Sequence, residues 1–139
     1  MARNKVEVHI QDGALFTFKV KAGQTLKIGE VVEISGDEEV QRAGATSTKV
    51  IGIVYSGSVG IDGVNVGYKG DNGDVVTVVV MRPQVYIPVG ATVTAGQVLK
   101  SDANGKVVPL VVGTDSDQAR VGIALTGATS GNDAIVILG

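Results

Sequence analysis

Val75-Val76-Thr77-Val78-Val79-Val80-Met81 is a run of seven residues with no charge and no apolar–polar alternation. β-Branched side chains lose χ1 freedom in a helix and pack well on a pleated surface, so the run reads as a strand. A strand without a polar face needs cover on both sides, and left bare it is an aggregation hazard. A small barrel has few positions covered on both faces. The run therefore points to a subunit interface. Its candidates are Val76, Val78 and Val80, joined by Val85 and Ile87 of the next run. Pro83 and Pro88 bracket that second run and confine it to a sheet edge or a strand start. Upstream lies a segment, residues 56–70, with glycine at positions 57, 60, 63, 67 and 70. Ordering so many glycines is entropically costly, so a long loop of this kind is functional or mobile. It carries Ile61, Val64 and Tyr68, which a solvated loop does not need, and these join the candidate interface. The other possible cover for the strand is this loop alone.

Composition extends the β reading to the whole chain. Of 139 residues, 26 are Val, 10 Ile and 20 Gly, which fits an all-β chain with many tight turns. There is no cysteine, hence no disulfide frame and no thiolate chemistry. Twelve basic against fourteen acidic residues leave a net charge of -2, without the basic stripe of a nucleic-acid binder. Aromatics at 4% are too few for base-stacking platforms. No apolar run approaches the roughly 20 residues that span a bilayer, and Met1 to Lys5 is polar. The expectation is a soluble protein made in the cytoplasm, binding neither nucleic acid nor membrane.

Sliding the chain on itself exposes an internal duplication. Gly29-Glu30-Val31-Val32 aligns with Gly96-Gln97-Val98-Leu99 at an offset of 67. Lys49-Val50-Ile51-Gly52-Ile53-Val54 then matches Ala119-Arg120-Val121-Gly122-Ile123-Ala124. Gly73 to Val78 matches Asn132 to Ile137 with one residue of slack. Two such halves predict a small barrel-like β-sandwich, whose closure removes sticky edges. Residues 21–139 form this unit. Residues 1–20 read as an N-terminal β-hairpin or arm: Val6, Val8 and Ile10 alternate with polar residues, as do Phe16, Phe18 and Val20, with Asp12-Gly13 between the runs.

Chemistry is sparse. His9 is the only histidine and sits mid-strand, and no Gly-x-Ser-x-Gly elbow exists for a nucleophile. Asp71-Asn72-Gly73-Asp74 lacks the carboxylate a calcium loop needs at its twelfth position, where Arg82 stands. The adjacent carboxylates Asp37-Glu38-Glu39 point to alternate faces of a strand and read as a hairpin tip. No catalytic residue, metal site or cofactor is expected, and the chain is not read as an enzyme.

The succession Gly29 to Val32, Val50 to Val54, Gly73 to Val78 and Val85 to Pro88 resembles the capsid cement, or head decoration, proteins of tailed bacteriophages. So do Gly96 to Leu99, Asp102 to Val107, Val121 to Leu125 and Ala134 to Leu138, so the resemblance spans about residues 22–139. It implies a homo-oligomer, commonly a trimer, on the outer capsid surface of the virion, where it clamps the major capsid protein lattice against internal pressure. In such proteins the N-terminal segment often reaches the capsid, which makes Arg3, Lys5, Val6, Val8 and Ile10 candidate contacts. Strand addition by that arm would supply main-chain hydrogen bonds, and loss of residues 1–10 is expected to abolish capsid binding but leave a folded trimer. The other readings are a tail or baseplate component, or a carbohydrate- or host-surface-binding β module.

Overall fold

The computed structural model describes residues 6–11, 13–56, 69–70, 73–80 and 83–139. Among them are twelve strands: β1 (Glu7–His9), β2 (Leu15–Val20), β3 (Val31–Gly36), β4 (Glu39–Arg42), β5 (Val50–Ser56), β6 (Lys69–Gly70), β7 (Gly73–Val80), β8 (Gln84–Pro88), β9 (Val98–Ser101), β10 (Val107–Pro109), β11 (Arg120–Ala124) and β12 (Asp133–Leu138). A single 3-10 turn, Asp117–Ala119, precedes β11, and the Ser116 hydroxyl caps it by accepting from Gln118 N–H. The fold is all-β, as the valine and glycine content predicts.

Five strands close into a barrel in the order β2-β4-β3-β5-β7, with β7 returning to β2. The second sheet runs β1-β8-β12-β11-β9-β10. Set side by side, β8, β10, β9, β11 and β12 take the places of β2, β4, β3, β5 and β7. The repeat holds to single hydrogen bonds. Ala43 N–H donates to Val31 O at 3.0 Å, and Leu110 N–H to Val98 O at 2.9 Å. Gly29 N–H donates to Val54 O at 2.8 Å, and Gly96 N–H to Ala124 O at 2.7 Å. Lys27 N–H reaches the Glu30 carboxylate, and Thr94 N–H the Gln97 amide oxygen. A register shift occurs at the same place in both, between Val32 and Glu33 opposite β5 and between Arg120 and Gly122 opposite β9.

Gly52 and Gly122 explain the shared Val/Ile-Gly-Ile motif. A β-carbon on Gly52 would run into the Val79 carbonyl, and one on Gly122 into the Ile137 carbonyl. Only glycine lets the neighbouring strand come this close.

The halves differ at the closing seam. In the barrel, β2 and β4 join in parallel through Lys19↔Glu39 and Val20↔Val40. The equivalent contact in the second unit shrinks to one parallel bridge, Val89↔Val107. β1 takes up the rest of the β8 edge, with Glu7 opposite Val85 and His9 opposite Gln84. The expected hairpin of residues 1–20 is therefore corrected. β1 joins the second sheet, whereas β2 is a stave of the barrel. Gly13, at φ 84, does turn the chain, but the two flanking strands part company there.

Two cores follow. Leu26, Val32, Val40, Val54, Val76 and Val78 fill the barrel. Their neighbours Val31, Ile53 and Val79 point outward and pack, with Val6, against the inward face of the second sheet, on Val85, Ile87, Leu99, Val136 and others. Thus β7 is covered on one face by the barrel interior and on the other by the second sheet. This corrects the reason given for an interface at that strand. Val76, Val78, Val85 and Ile87 are at most 1% exposed within the single chain, which leaves nothing of them for a partner to touch. Val80 is half-buried at the barrel end. Ile61, Val64 and Tyr68, with the rest of the glycine-rich loop from residue 57 to 68, lie outside the described residues.

The two units are also tied by polar contacts. Ser101, 1% exposed, donates its hydroxyl to Gly44 O at 2.7 Å and accepts from Ser47 N–H at 3.2 Å.

Candidate docking surfaces

Three surfaces stand out. The first is the open end of the barrel. Phe16 and Phe18 share the face of β2 that looks into the barrel, being paired with Val78 and Val76. At the rim, Phe16, Phe18, Val50, Ile51 and Val80 line an apolar cavity of about 420 Å³. Phe16 is 52% exposed, against 0% for its counterpart Val85 in the second unit. Burying an aromatic ring of this kind is worth roughly 1.5–3 kcal/mol, so an open mouth of this composition is suited to a protein partner.

The second surface is the N-terminal edge. Val6 is fully buried, and its carbonyl accepts from Tyr86 N–H at 2.7 Å. Ile10 packs on the same core. Val6 is therefore not available to a capsid in the way the sequence suggested, whereas Ile10 is half-buried and β1 itself is the exposed edge of the second sheet. Val8, at 36% exposed, remains accessible. Arg3 and Lys5 lie outside the described residues. Beside β1, Glu7, Ile10, Gln11, Gly13, Leu15 and Tyr55 line a shallow cleft of about 220 Å³.

The third is the loop from Leu110 to Asp115. Val111 and Val112 are 50% and 90% exposed, yet the loop is held firmly. The Asp115 carboxylate accepts from Val111 N–H at 2.7 Å and pairs with Lys100 Nζ at 2.7 Å. These bonds, the Lys100 ammonium first, hold its carboxyl below the usual carboxylate range. The first half does the same job differently. There Glu33, at the position of Lys100, accepts from Gly44 N–H at 2.9 Å and from Gln41 Nε2 at 2.8 Å. Burial pushes the Glu33 carboxyl up, but the Gly44, Gln41 and Ser47 hydrogen bonds and the Lys49 charge outweigh it and hold it low. Both carboxylates are committed to shaping loops.

Among the described residues no three His, Cys, Asp or Glu side chains gather closely enough to hold a metal. His9 lies on exposed β1, and the Glu30 carboxylate is taken up by Arg42 Nε at 2.6 Å. The sequence reading missed Leu15, Phe16, Val111 and Val112. Phe16 could have been found by extending the duplication to β2 and β8, since an aromatic then sits where the other half has a core valine. No comparable signal marks Val112.

No protein-family profile matches the chain, and no curated protein matches its sequence. Among solved structures, the fold is similar to the head fiber gp8.5 N base of bacteriophage phi29, with a TM-score of 0.56 and 19% identity. The match covers 90% of this chain and 92% of that one, so the likeness is one of the whole two-unit fold.

Proposed function

We propose that the chain is a structural component of a bacteriophage virion, and more narrowly a head decoration protein. As an oligomer, in this reading a trimer, it sits on the outer capsid surface and braces the major capsid protein lattice. The observation that carries the reading is the end-to-end fold likeness to a head fiber base. The resemblance of the glycine–aliphatic motifs to cement proteins agrees with it. Among the described residues the accessible contacts for the capsid are the Val8 edge of β1 and the aromatic mouth at Phe16, and from the resemblance Arg3 and Lys5 are proposed beside them. Three copies per oligomer multiply a modest single contact, because tethering raises the local concentration for the second and third.

The test adds purified chain to expanded heads assembled without it, followed by electron microscopy and a heat-release assay for packaged DNA. Regular outer density in hundreds of copies, with DNA release shifted to higher temperature, is the expected result. Heads that stay bare, or a handful of copies confined to the tail, would refute a decoration role.

A further inference from the structure

We propose that Asn104-Gly105 is a covalent modification site, where the chain turns its own asparagine into isoaspartate without an enzyme. The proposal is independent of the virion reading, and the failure of either leaves the other untouched. The pair lies in the turn between β9 and β10. Asp102 N–H donates to Lys106 O at 3.0 Å. The Asp102 carboxylate accepts from Asn104 N–H at 2.8 Å and from Lys106 N–H at 3.0 Å. These bonds fix the turn on either side of Gly105 without using the Gly105 N–H. Among the described residues nothing accepts from that N–H, and nothing bonds the Asn104 side-chain amide. Asn104 is exposed to water. The nitrogen that attacks and the carbon that is attacked therefore belong to adjacent residues, and neither group is engaged elsewhere.

The fold also holds glycine at this position. Gly105 has φ 78, and a β-carbon on it would lie 2.8 Å from the Glu30 carboxylate. A residue with a side chain would shield its own nitrogen, and the backbone here favours the one residue that does not. Asn132 is the contrast. Its side-chain nitrogen donates to Thr129 Oγ1 at 2.7 Å, and the residue after it is Asp133.

In the reaction, the Gly105 nitrogen bonds to Asn104 Cγ and the Cγ–Nδ2 bond breaks. Ammonia leaves with the glycine proton, and a cyclic imide remains. Water then opens the imide. Breaking its nitrogen–Cγ bond gives aspartate. Breaking the bond from that nitrogen to the Asn104 main-chain carbonyl carbon gives isoaspartate, with an extra methylene in the main chain. Aspartate suits the turn, since Asp37 holds the corresponding place in the first half. Isoaspartate does not. The added methylene displaces the Gly105 carbonyl, which accepts from Val31 N–H at 3.0 Å and so ties the second unit to the barrel. Conversion of one residue thereby loosens the seam between the units.

The test keeps the folded chain and the urea-unfolded chain side by side in mildly alkaline buffer. Trypsin then releases residues 101–106, in which mass spectrometry reads the change from amide to acid. Methyl transfer by a protein isoaspartate methyltransferase scores the isoaspartate in the same peptide. In the folded chain Asn104 is expected to convert within about tenfold of the unfolded rate, a barrier difference below about 1.4 kcal/mol, while Asn132 stays intact. A folded chain that keeps Asn104 intact after the unfolded chain has converted overturns the assignment, as does conversion that yields aspartate alone. The purified isoaspartyl form should unfold at a lower urea midpoint than both the wild type and Asn104→Asp. An isoaspartyl form with the wild-type midpoint overturns the loosening of the seam.

Discussion

Glu38 and Thr46 hold left-handed backbone conformations, at φ 54 and φ 53, and both positions recur in the second half as Gly105 and Gly113. The offset of 67 that aligns Gly29 with Gly96 therefore also aligns the turns. In one half the turn has the residue its backbone wants, and in the other it carries a β-carbon at a cost of roughly 1–2 kcal/mol. Glu38→Gly relieves that strain but loosens the unfolded chain, so the net gain should be about 0.5–1 kcal/mol, read as a higher midpoint in urea. Gly52 is the opposite case. Its counterpart was legible from the repeated Gly-Ile pair, while the reason for it, a neighbouring carbonyl where a side chain would be, is visible only across strands. Gly52→Ala should cost on the order of 2–4 kcal/mol, and Gly122→Ala a similar amount, because backbone rather than a flexible side-chain tip must move. An alanine at either site with an unchanged denaturation midpoint would contradict the close approach.

At the level of strands, the sequence announced most of the elements and misassigned some of their neighbours. The hairpins β3–β4 and β9–β10 are legible in the charged tip Asp37-Glu38-Glu39 and in the turn dipeptide Asn104-Gly105, since pairing there is local. The run from Val75 was legible as a strand covered twice, but its cover is gathered from along the whole chain, from Val6 to Val136, and local pattern carries no record of that. The same limit produced the mistaken N-terminal hairpin. An Asp-Gly turn signals a reversal without saying whether the flanking strands pair with each other. The structure also aligns Val78 with Val136, one residue off the sequence match, because the strand pairing rather than the glycines fixes the register. For β1 the correction changes an expectation. Val6 is a core residue, and removal of residues 1–10 strips both it and the strand that covers the β8 edge. The truncated chain should lose about 2–4 kcal/mol, in line with deletion of a buried aliphatic side chain. Chemical denaturation measures this directly, and a truncation that unfolds at the wild-type midpoint would restore the picture of a dispensable arm.

The whole molecule is two copies of one plan that are not equally self-sufficient. The barrel is closed and has its own interior, but its outer wall carries Val31, Ile53 and Val79, each 0% exposed only because the second sheet covers them. The second unit is open at its seam, and its inward residues, Val85, Ile87, Leu99 and Val136, find their cover on that same wall. Neither face is satisfied alone, so the duplication has become an obligate pairing rather than two domains on a string. A single cooperative transition should follow, with the calorimetric and van't Hoff enthalpies equal for the unassociated chain. Ser101 sharpens the expectation, since its hydroxyl and main chain tie the Gly44–Ser47 loop of one unit to β9 of the other. Ser101→Ala leaves the Gly44 carbonyl and the Ser47 N–H without this partner and should lower stability by about 1–3 kcal/mol. Because the two units unfold as one body, that loss should appear as a uniform shift of the whole transition. Two resolved steps, with only one of them moved by Ser101→Ala, would mean that the halves retain the independence their common plan suggests.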